Sequence, residues 1–125
     1  MKNILILEDD LETLSVIFRV LYETKIDFAP IVLSTYEQVE NLLNPSDLKF
    51  DLILLDRDCA LGGSFHAIDF EKFGIDKIIG ISSVPPYNEE LLKIGVEAVI
   101  NKEYQDLNKF AAELKDQIGK KYGQN

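Results

Sequence analysis

Residues 51–58 read Asp51-Leu52-Ile53-Leu54-Leu55-Asp56-Arg57-Asp58. Four aliphatic residues run without interruption into Asp56, a pattern typical of a strand that is covered on both faces in a parallel sheet. Such a strand delivers the residue that follows it to the carboxyl edge of the sheet, where open α/β sheets keep their ligand crevices. The stretch therefore predicts an α/β fold with Asp56 at the edge that carries the functional site.

The start of the chain repeats this pattern. Residues 3–7 are Asn3-Ile4-Leu5-Ile6-Leu7, and Glu8-Asp9-Asp10 follows them. A helix is predicted from Leu11 to about Tyr22, with Asp9 or Asp10 as its cap, because a carboxylate at this position accepts the unpaired amide hydrogens of the first turn. Two buried strands are therefore expected to end in carboxylates at one edge of the sheet.

The rest of the chain alternates strand patterns with helix patterns. Strands are predicted at 28–33, 77–82 and 97–101, and helices from the capping-box pattern Ser34-Thr35-Tyr36-Glu37 to Leu43, from Asn88 to Gly95, and at 106–120. Pro85 and Pro86 predict a rigid turn. Residues 65–73 fit a short helix imperfectly, and an irregular connection is nearly as compatible with them.

The predicted fold is a (βα)5 doubly wound, five-stranded parallel sheet, flavodoxin-like, in a three-layer α/β/α arrangement. Right-handed crossovers place helices on both faces of such a sheet. Pro30 cannot donate to a ladder, so the second strand must lie at an edge or begin near Pro30. The strand order 2-1-3-4-5 satisfies this requirement and places the first and third strands side by side.

Length and composition narrow the class of protein. The chain has 125 residues, which predicts a single domain over 1–125, and a formal net charge of −9, which argues against binding of nucleic acid. It has no apolar run long enough to span a membrane, and its start lacks the pattern of a signal peptide. Cys59 is the only cysteine, which fits a reducing cytoplasm. We expect a cytoplasmic protein with neither a membrane nor a nucleic acid as partner.

Four predicted strands end in side chains that can act together: Glu8 and Asp9, Asp56, Ser82, and Lys102. Carboxylates that converge in a small volume repel one another unless a cation neutralises them. Oxygen ligands with room for water are what Mg²⁺ prefers. A carboxylate beside a metal ion, a hydroxyl and a lysine is well arranged to accept a phosphoryl group, because these groups spread the charge of the transferring oxygens. The sequence therefore predicts a Mg²⁺ site with Asp56 projecting into it.

The chain resembles a response-regulator receiver domain over essentially its whole length, in the manner of the single-domain, chemotaxis-type regulators. The motifs that carry the resemblance are Ile4 to Asp10, Asp51 to Asp56, Ile81-Ser82-Ser83 and Gly95 to Lys102. The resemblance implies two-component signalling or a phosphorelay, in which Asp56 accepts a phosphoryl group from a histidine kinase or phosphotransfer protein. It also implies that phosphorylation changes the surface offered to an unknown downstream protein.

The same resemblance implies a role for each site residue. Glu8 and Asp9 match the acidic pair for Mg²⁺, with Asp56 and the backbone carbonyl of Asp58 completing the metal site. Ser82 matches the hydroxyl that meets the phosphoryl group, and Lys102 matches its lysine partner. Independently of the resemblance, the Asp58 side chain lies two residues after Asp56 and can reach the opening of the crevice, so we expect its charge to add to metal affinity and to alter the lifetime of the phosphoryl group.

The sequence departs from the family pattern in the third helix and in the switch region. Glu103 stands where the family usually has a proline after the lysine, and Val99 stands where it usually has an aromatic residue. The loop after Asp56 lacks the common proline and contains Gly62-Gly63.

Two other functions remain open. One is a pseudo-receiver, an interaction module of the same fold that works without phosphorylation. The other is a phosphatase with an Asp nucleophile, since Asp56 and Asp58 have the D-x-D spacing of that class. A receiver catalyses its own phosphorylation and dephosphorylation, so we do not expect a turnover enzyme.

Single residues also have purely structural interpretations. Glu8-Asp9-Asp10 could be helix caps alone, Ser82 a turn hydroxyl, and Lys102 a solvated lysine. His66 is interpreted as a loop or packing residue, because it has no second ligand with zinc spacing. Cys59 is interpreted as a small thiol that is at least half buried.

Overall fold

The computed structural model describes residues 1–123, and its strands form one five-stranded parallel sheet. The strands are β1 (Lys2–Leu7), β2 (Phe28–Leu33), β3 (Leu52–Leu55), β4 (Ile78–Gly80) and β5 (Ala98–Val99). Their order is β2-β1-β3-β4-β5, and every neighbouring pair is parallel. This confirms the predicted sheet and strand order.

The helices differ greatly in length. They are α1 (Leu11–Glu23), α2 (Tyr36–Gln38), a π-helical segment (Val39–Leu43), α3 (Phe70–Phe73), α4 (Pro85–Lys93) and α5 (Leu107–Tyr122), with 3₁₀ segments at Phe65–Ala67 and Ile75–Lys77. None of the helices within residues 1–123 is long and apolar enough to span a bilayer.

Helices cover both faces of the sheet, as predicted. Successive side chains of a strand point to opposite faces. Accordingly Ile4 and Ile6 of β1 pack in the core beneath α1 and α5, whereas Leu5 and Leu7 pack in the core beneath the π-helical segment and α4. The residues of β3 are fully buried, which explains their uninterrupted aliphatic run.

Strand β2 is an edge strand, and Pro30 lies within it opposite Ile4 of β1. A proline has no amide hydrogen to donate, so it is tolerated where one side of the strand has no neighbour. The edge position inferred from Pro30 is confirmed.

Several local predictions were wrong in detail. The capping box is formed by Thr35 and Gln38, not by Ser34 and Glu37: the Thr35 hydroxyl accepts from the Gln38 amide at 3.2 Å, and the Gln38 side chain accepts from the Thr35 amide at 3.0 Å. Pro85 and Pro86 begin helix α4 instead of forming a separate turn. A proline suits the first turn because the amide it lacks would be unpaired there.

The last two strands are shorter than predicted, and residues 65–73 form two short helical segments. Strand β5 has two residues and β4 has three, although the predicted strands continued to Asn101 and Ser82. The backbone nevertheless stays paired beyond these strands. Ile100 donates to the Gly80 carbonyl at 2.7 Å, and Lys102 donates to the Ser82 carbonyl at 3.0 Å. This pairing holds the ends of β4 and β5 in register at the site.

Candidate functional site

The carboxyl edge of the sheet gathers the predicted site residues. Glu8 directly follows β1, and Asp56 directly follows β3. The Asp56 amide donates to the Leu7 carbonyl at 3.1 Å, which holds the end of β3 beside the end of β1. The residues Glu8, Asp56, Ser82 and Lys102 are all buried, although each is polar. Four buried polar side chains that follow four strands at one edge of the sheet indicate a functional site.

Lys102 lies between two buried carboxylates. Its Nζ donates to Oε1 of Glu8 at 2.6 Å and to Oδ2 of Asp56 at 3.3 Å, and none of its side chain is exposed. The ring of Tyr104 lies 5.2 Å from the same ammonium. Lys102 is therefore a member of the site and not a solvated surface lysine.

Both oxygens of Glu8 are hydrogen bonded. Oε1 accepts from Lys102, and Oε2 accepts from the amides of Asp9 and Asp10 at 3.0 and 3.1 Å. Asp10 caps α1, because its carboxylate accepts from the amide and the hydroxyl of Thr13 at 2.9 and 2.6 Å. The three acids thus divide their roles. Asp10 caps the helix, Glu8 orders the turn, and Asp9 is left exposed at the mouth of the site.

Burial and charge shift the pKa values of these groups. Burial raises the pKa of Glu8 to about 7; the charge of Asp56 adds to the rise, and Lys102 opposes it. Burial also raises the pKa of Asp56, with Lys102 opposing and Asp58 adding to the rise. For Lys102, burial acts against the ammonium, but Glu8 and Asp56 outweigh it and hold the pKa above its ordinary value. Lys102 alone therefore does not offset the cost of burying Glu8 and Asp56 in their ionised forms.

The donor set fits a small divalent cation. Carboxylate oxygens of Glu8, Asp9 and Asp56 lie within 4.8 Å of one another, and within residues 1–123 they form the one such cluster. Hard oxygen donors of this kind suit Mg²⁺, which takes few protein ligands and keeps several waters. A cation at this position would favour the ionised forms of Glu8 and Asp56, whose pKa values burial raises.

The Asp58 side chain does not join this cluster. Its carboxylate is exposed and lies 3.2 Å from Nη1 of Arg57, and its backbone pairs with Ser64 in an isolated bridge. Its charge still acts on the site by raising the pKa of Asp56. The ligand role predicted for the backbone carbonyl of Asp58 stays a prediction.

Ser82 is buried at the end of β4. Its hydroxyl accepts from the Val84 amide at 3.1 Å, and its own amide donates to Oδ1 of Asn88 at 3.1 Å. Ser82 was among the predicted site residues, whereas Asn88 was not. A lone asparagine in a charged helix looks like a surface residue, and only the fold brings the ends of β4 and β5 to it.

Arg57, which had no predicted role, connects the end of β3 to α4. Its guanidinium lies 4.1 Å from the centre of the Tyr87 ring and 3.7 Å from a carboxylate oxygen of Glu90. Nδ1 of His66 lies 3.5 Å from the same Glu90 oxygen. The position of Arg57 directly after Asp56 was the one feature of the sequence that could have indicated a role for it.

The loop of residues 58–64 follows β3 and Asp56 closely and has an unusual backbone. Leu61, Gly62 and Gly63 have consecutive positive φ values of 65°, 90° and 85°, and the Leu61 side chain is 92% exposed. A Cβ at Gly63 would lie 2.7 Å from Cβ of Tyr36, so only glycine fits there. Cys59 is buried in this loop, and its thiol donates to the Gly62 carbonyl at 3.4 Å.

Val99 and Glu103, which depart from the family pattern, have different environments. Val99 is half buried and packs against the core beneath α4. Glu103 is exposed, lies 3.6 Å from Nζ of Lys109, and follows Lys102 through a trans peptide bond. The Lys102 side chain therefore reaches Glu8 and Asp56 although the peptide bond that follows Lys102 is trans.

Comparison with known proteins identifies the fold through structure alone. No protein-family model matches the sequence, and no curated protein matches it significantly. Solved structures do match. A response regulator receiver domain from Rhodospirillum rubrum is similar with a TM-score of 0.68 and 14% identity, covering 94% of this chain and 93% of that one.

Two further structures match over a comparable length. The Mn²⁺-bound form of response regulator Rcp1 has a TM-score of 0.66 and 18% identity, covering 93% of each chain. The phosphorylated cyanobacterial phytochrome response regulator RcpA has a TM-score of 0.67 and 14% identity, covering 94% of this chain and 91% of that one. The chain therefore has the fold of response-regulator receiver domains, as its motifs predicted.

Proposed function

We propose that this protein is a two-component receiver that accepts a phosphoryl group on Asp56 in a Mg²⁺-dependent reaction. One observation carries the proposal: the buried Asp56 carboxylate lies 3.3 Å from Nζ of Lys102 and belongs to a cluster of carboxylate oxygens within 4.8 Å of one another. Such a cluster does not stabilise a packed core, because burying charged groups costs free energy unless they are paired or bind a metal.

The transfer step follows from this geometry. A carboxylate oxygen of Asp56 attacks the phosphorus of a phosphohistidine, an O–P bond forms, the N–P bond breaks, and the imidazole leaves with the electron pair of that bond. Glu8, Asp9, Asp56 and the carbonyl of Asp58 would hold the cation, which supplies positive charge to the transferring oxygens when bound. Lys102 supplies a second positive charge, and the Ser82 hydroxyl donates to one phosphoryl oxygen.

The orientation of Asp56 favours this chemistry. Oδ1 accepts from the Arg57 amide at 2.7 Å, and Oδ2 accepts from Lys102 at 3.3 Å. Two donors fix the plane of the carboxylate before a substrate arrives, which lowers the entropic cost of the reaction. The two structurally similar regulators, one bound to Mn²⁺ and one phosphorylated, support the same proposal.

The proposed partners are a histidine kinase or phosphotransfer protein as donor and an unidentified protein downstream. We place the protein in the cytoplasm, without nucleic acid or membrane as partner. It catalyses its own phosphorylation and dephosphorylation and is not a turnover enzyme.

The test is a titration with Mg²⁺ and beryllofluoride, a mimic of the acyl phosphate, followed by amide NMR. We expect shifts at Asp56, Ser82 and Lys102 that need both Mg²⁺ and beryllofluoride. Asp56→Asn removes the acceptor oxygen charge and should abolish them. An Asp56→Asn variant that responds like wild type would overturn the proposal.

A pseudo-receiver is the second candidate, and one distance favours it. Nζ of Lys102 lies closer to Glu8 than to Asp56, at 2.6 Å against 3.3 Å, so the site is closed by its own ion pairs. Val99 and Glu103 support it as well. A wild-type protein that shows no Mg²⁺-dependent change in the same titration would favour this function.

The phosphatase is disfavoured by the position of Asp58. Its carboxylate is exposed and paired with Arg57 at 3.2 Å, whereas a general acid has to reach the leaving group. Steady release of many equivalents of phosphate from a phosphomonoester would favour it.

A further inference from the structure

Helix α4 carries a buried amide that has no role in the proposed transfer. The side chain of Asn88 is 1% exposed, although its neighbours Glu89 and Glu90 are exposed. It makes hydrogen bonds through both of its polar atoms. A buried amide with every group paired rigidifies its surroundings, and it is costly to disturb because an unpaired partner would remain buried.

All the partners of Asn88 belong to the ends of β4 and β5. Oδ1 accepts from the Ser82 amide at 3.1 Å. The two hydrogens of Nδ2 are shared among three acceptors, the carbonyls of Ser82 and Ile100 at 3.3 and 3.0 Å and Oδ1 of Asn101 at 2.9 Å. The Asn88 side chain therefore binds the backbone amide and carbonyl of Ser82. It also binds Ile100 and Asn101, the two residues before Lys102.

Gly80 allows α4 to pack closely against the end of β4. A Cβ at Gly80 would lie 2.6 Å from Cδ1 of Leu91 and 2.9 Å from Oδ1 of Asn88. A side chain at this position would force the ends of Leu91 and Asn88 to shift and would disturb the hydrogen bonds of Asn88. Gly80 and Asn88 thus form one arrangement that ties α4 to the site.

We propose that Asn88 is a positioning residue that couples the state of Asp56 to helix α4. The inference rests on the proposed function. When the Ser82 hydroxyl turns to a phosphoryl oxygen on Asp56, the Ser82 backbone moves with it. Since both backbone groups of Ser82 are bonded to Asn88, α4 moves too, or those bonds break. Lys102 is held in the same network through its amide bond to the Ser82 carbonyl.

The first test uses the wild-type protein and the side-chain NH₂ signals of its asparagines. Asn44 is the internal control. Its Nδ2 donates to the Ala67 carbonyl at 3.0 Å, and its Oδ1 accepts from the Asp69 amide at 3.0 Å, so it makes bonds of the same kind away from the site. With Mg²⁺ and beryllofluoride, the NH₂ signal of Asn88 should shift and that of Asn44 should not. A stationary Asn88 signal beside a shifted Ser82 amide would overturn the inference.

The second test compares Asn88→Ala with Asn101→Ala, which removes only one of the four bonds. In Asn88→Ala we expect the amides of Asp56 and Arg57 to respond still, whereas the response of Glu90 to Lys93 on α4 is lost. Beryllofluoride should bind about tenfold more weakly, because the Ser82 backbone is no longer held by Asn88. Asn101→Ala should keep the α4 response. An α4 response that survives in a folded Asn88→Ala variant would overturn the inference.

These outcomes separate the two proposals. If the wild-type amides of Asp56 and Ser82 do not respond, the proposed function fails and the coupling fails with it. If they respond while α4 ignores the Asn88 substitution, only the coupling fails. The asparagine NH₂ measurement needs no substitution, so it decides the matter even if Asn88→Ala does not fold.

Discussion

The two faces of the sheet are covered in different ways. One face packs against two regular helices, α1 with 13 residues and α5 with 16. On the other face the longest helix is α4 with nine residues, and the remaining segments have three to five. We call these the regular face and the irregular face.

The features that surround Asp56 lie on the irregular face. They are the loop of residues 58–64, the Arg57–Tyr87–Glu90 contact and the Asn88 network. Short segments bury fewer apolar contacts per element, so they open and shift at lower free energy. The regular face is therefore expected to be the more stable of the two, whereas the irregular face, which adjoins Asp56, is expected to open at a lower free energy.

The largest effect is expected from removing one buried phenylalanine from each face. Phe110 on α5 is 1% exposed and Phe65 is fully buried. Phe110→Ala and Phe65→Ala should each lower the free energy of unfolding by about 3–5 kcal/mol, because each leaves a cavity. Only Phe65→Ala should also raise the Mg²⁺ concentration for half-saturation. The Phe65 amide donates to the Arg57 carbonyl at 2.8 Å, so collapse of the segment into the cavity would shift the backbone next to Asp56.

Urea unfolding with and without Mg²⁺ measures both quantities. The corresponding leucine variants serve if an alanine variant does not fold. Equal changes in Mg²⁺ affinity for the two variants would remove the distinction between the faces.

A second pair of variants removes one helix cap from each face. Thr35 caps α2, and Asp106 caps α5 through a bond of 3.1 Å from the Lys109 amide. Thr35→Ala and Asp106→Ala should each cost about 1 kcal/mol of stability. Thr35→Ala should in addition speed hydrogen exchange at Ala60, because Thr35 and Ala60 pair in an isolated bridge. Unchanged exchange at Ala60 would show that the loop does not depend on this cap.

A smaller effect is expected from pH, through His66 on the irregular face. Burial lowers the pKa of His66, and Arg57 adds to this while Glu90 opposes it. The folded state then binds fewer protons than the unfolded state, so stability is fully present above the ordinary histidine pKa and falls as pH drops through the lowered value. His66→Gln should show a flatter loss of stability between pH 7 and pH 5 in urea unfolding. Parallel curves for wild type and His66→Gln would contradict this.

The smallest effects are expected from surface ion pairs. Asp116→Asn removes a pair at 3.1 Å within α5, and Glu90→Gln removes the partner of Arg57 and His66. Each should change stability by less than about 1 kcal/mol and lose its effect in high salt. Only Glu90→Gln should alter the amide shifts of Arg57 on addition of Mg²⁺ and beryllofluoride. A matching change in Asp116→Asn would show that these shifts do not report on α4.

The sequence was sufficient to predict the sheet because its signals are strong and local. Aliphatic runs ending in Glu8 and Asp56 located the central strands, and Pro30 located an edge. These signals survive in any tertiary context, since burial on both faces and the missing amide of proline act on the backbone directly.

The irregular face was harder to predict because its structure depends on distant contacts. The sequence predicted a capping box between Ser34 and Glu37. The observed box lies one residue later, between Thr35 and Gln38, and Thr35 also pairs with Ala60, which is distant in the sequence. Pro85 and Pro86 were expected to form a turn, and they begin a helix. Asn88 gave no signal, because its partners are brought to it by β4 and β5.

The buried thiol of Cys59 offers a consequence of a different kind. It is the one thiol of the chain, it is bonded to the Gly62 carbonyl, and burial raises its pKa. A thiol in this state reacts with an alkylating reagent only while the loop of residues 58–64 is open. Each opening that is captured leaves a permanent mass increase, so the rate of alkylation reports how often the chain beside Asp56 exposes itself to solvent, with no label or substitution added.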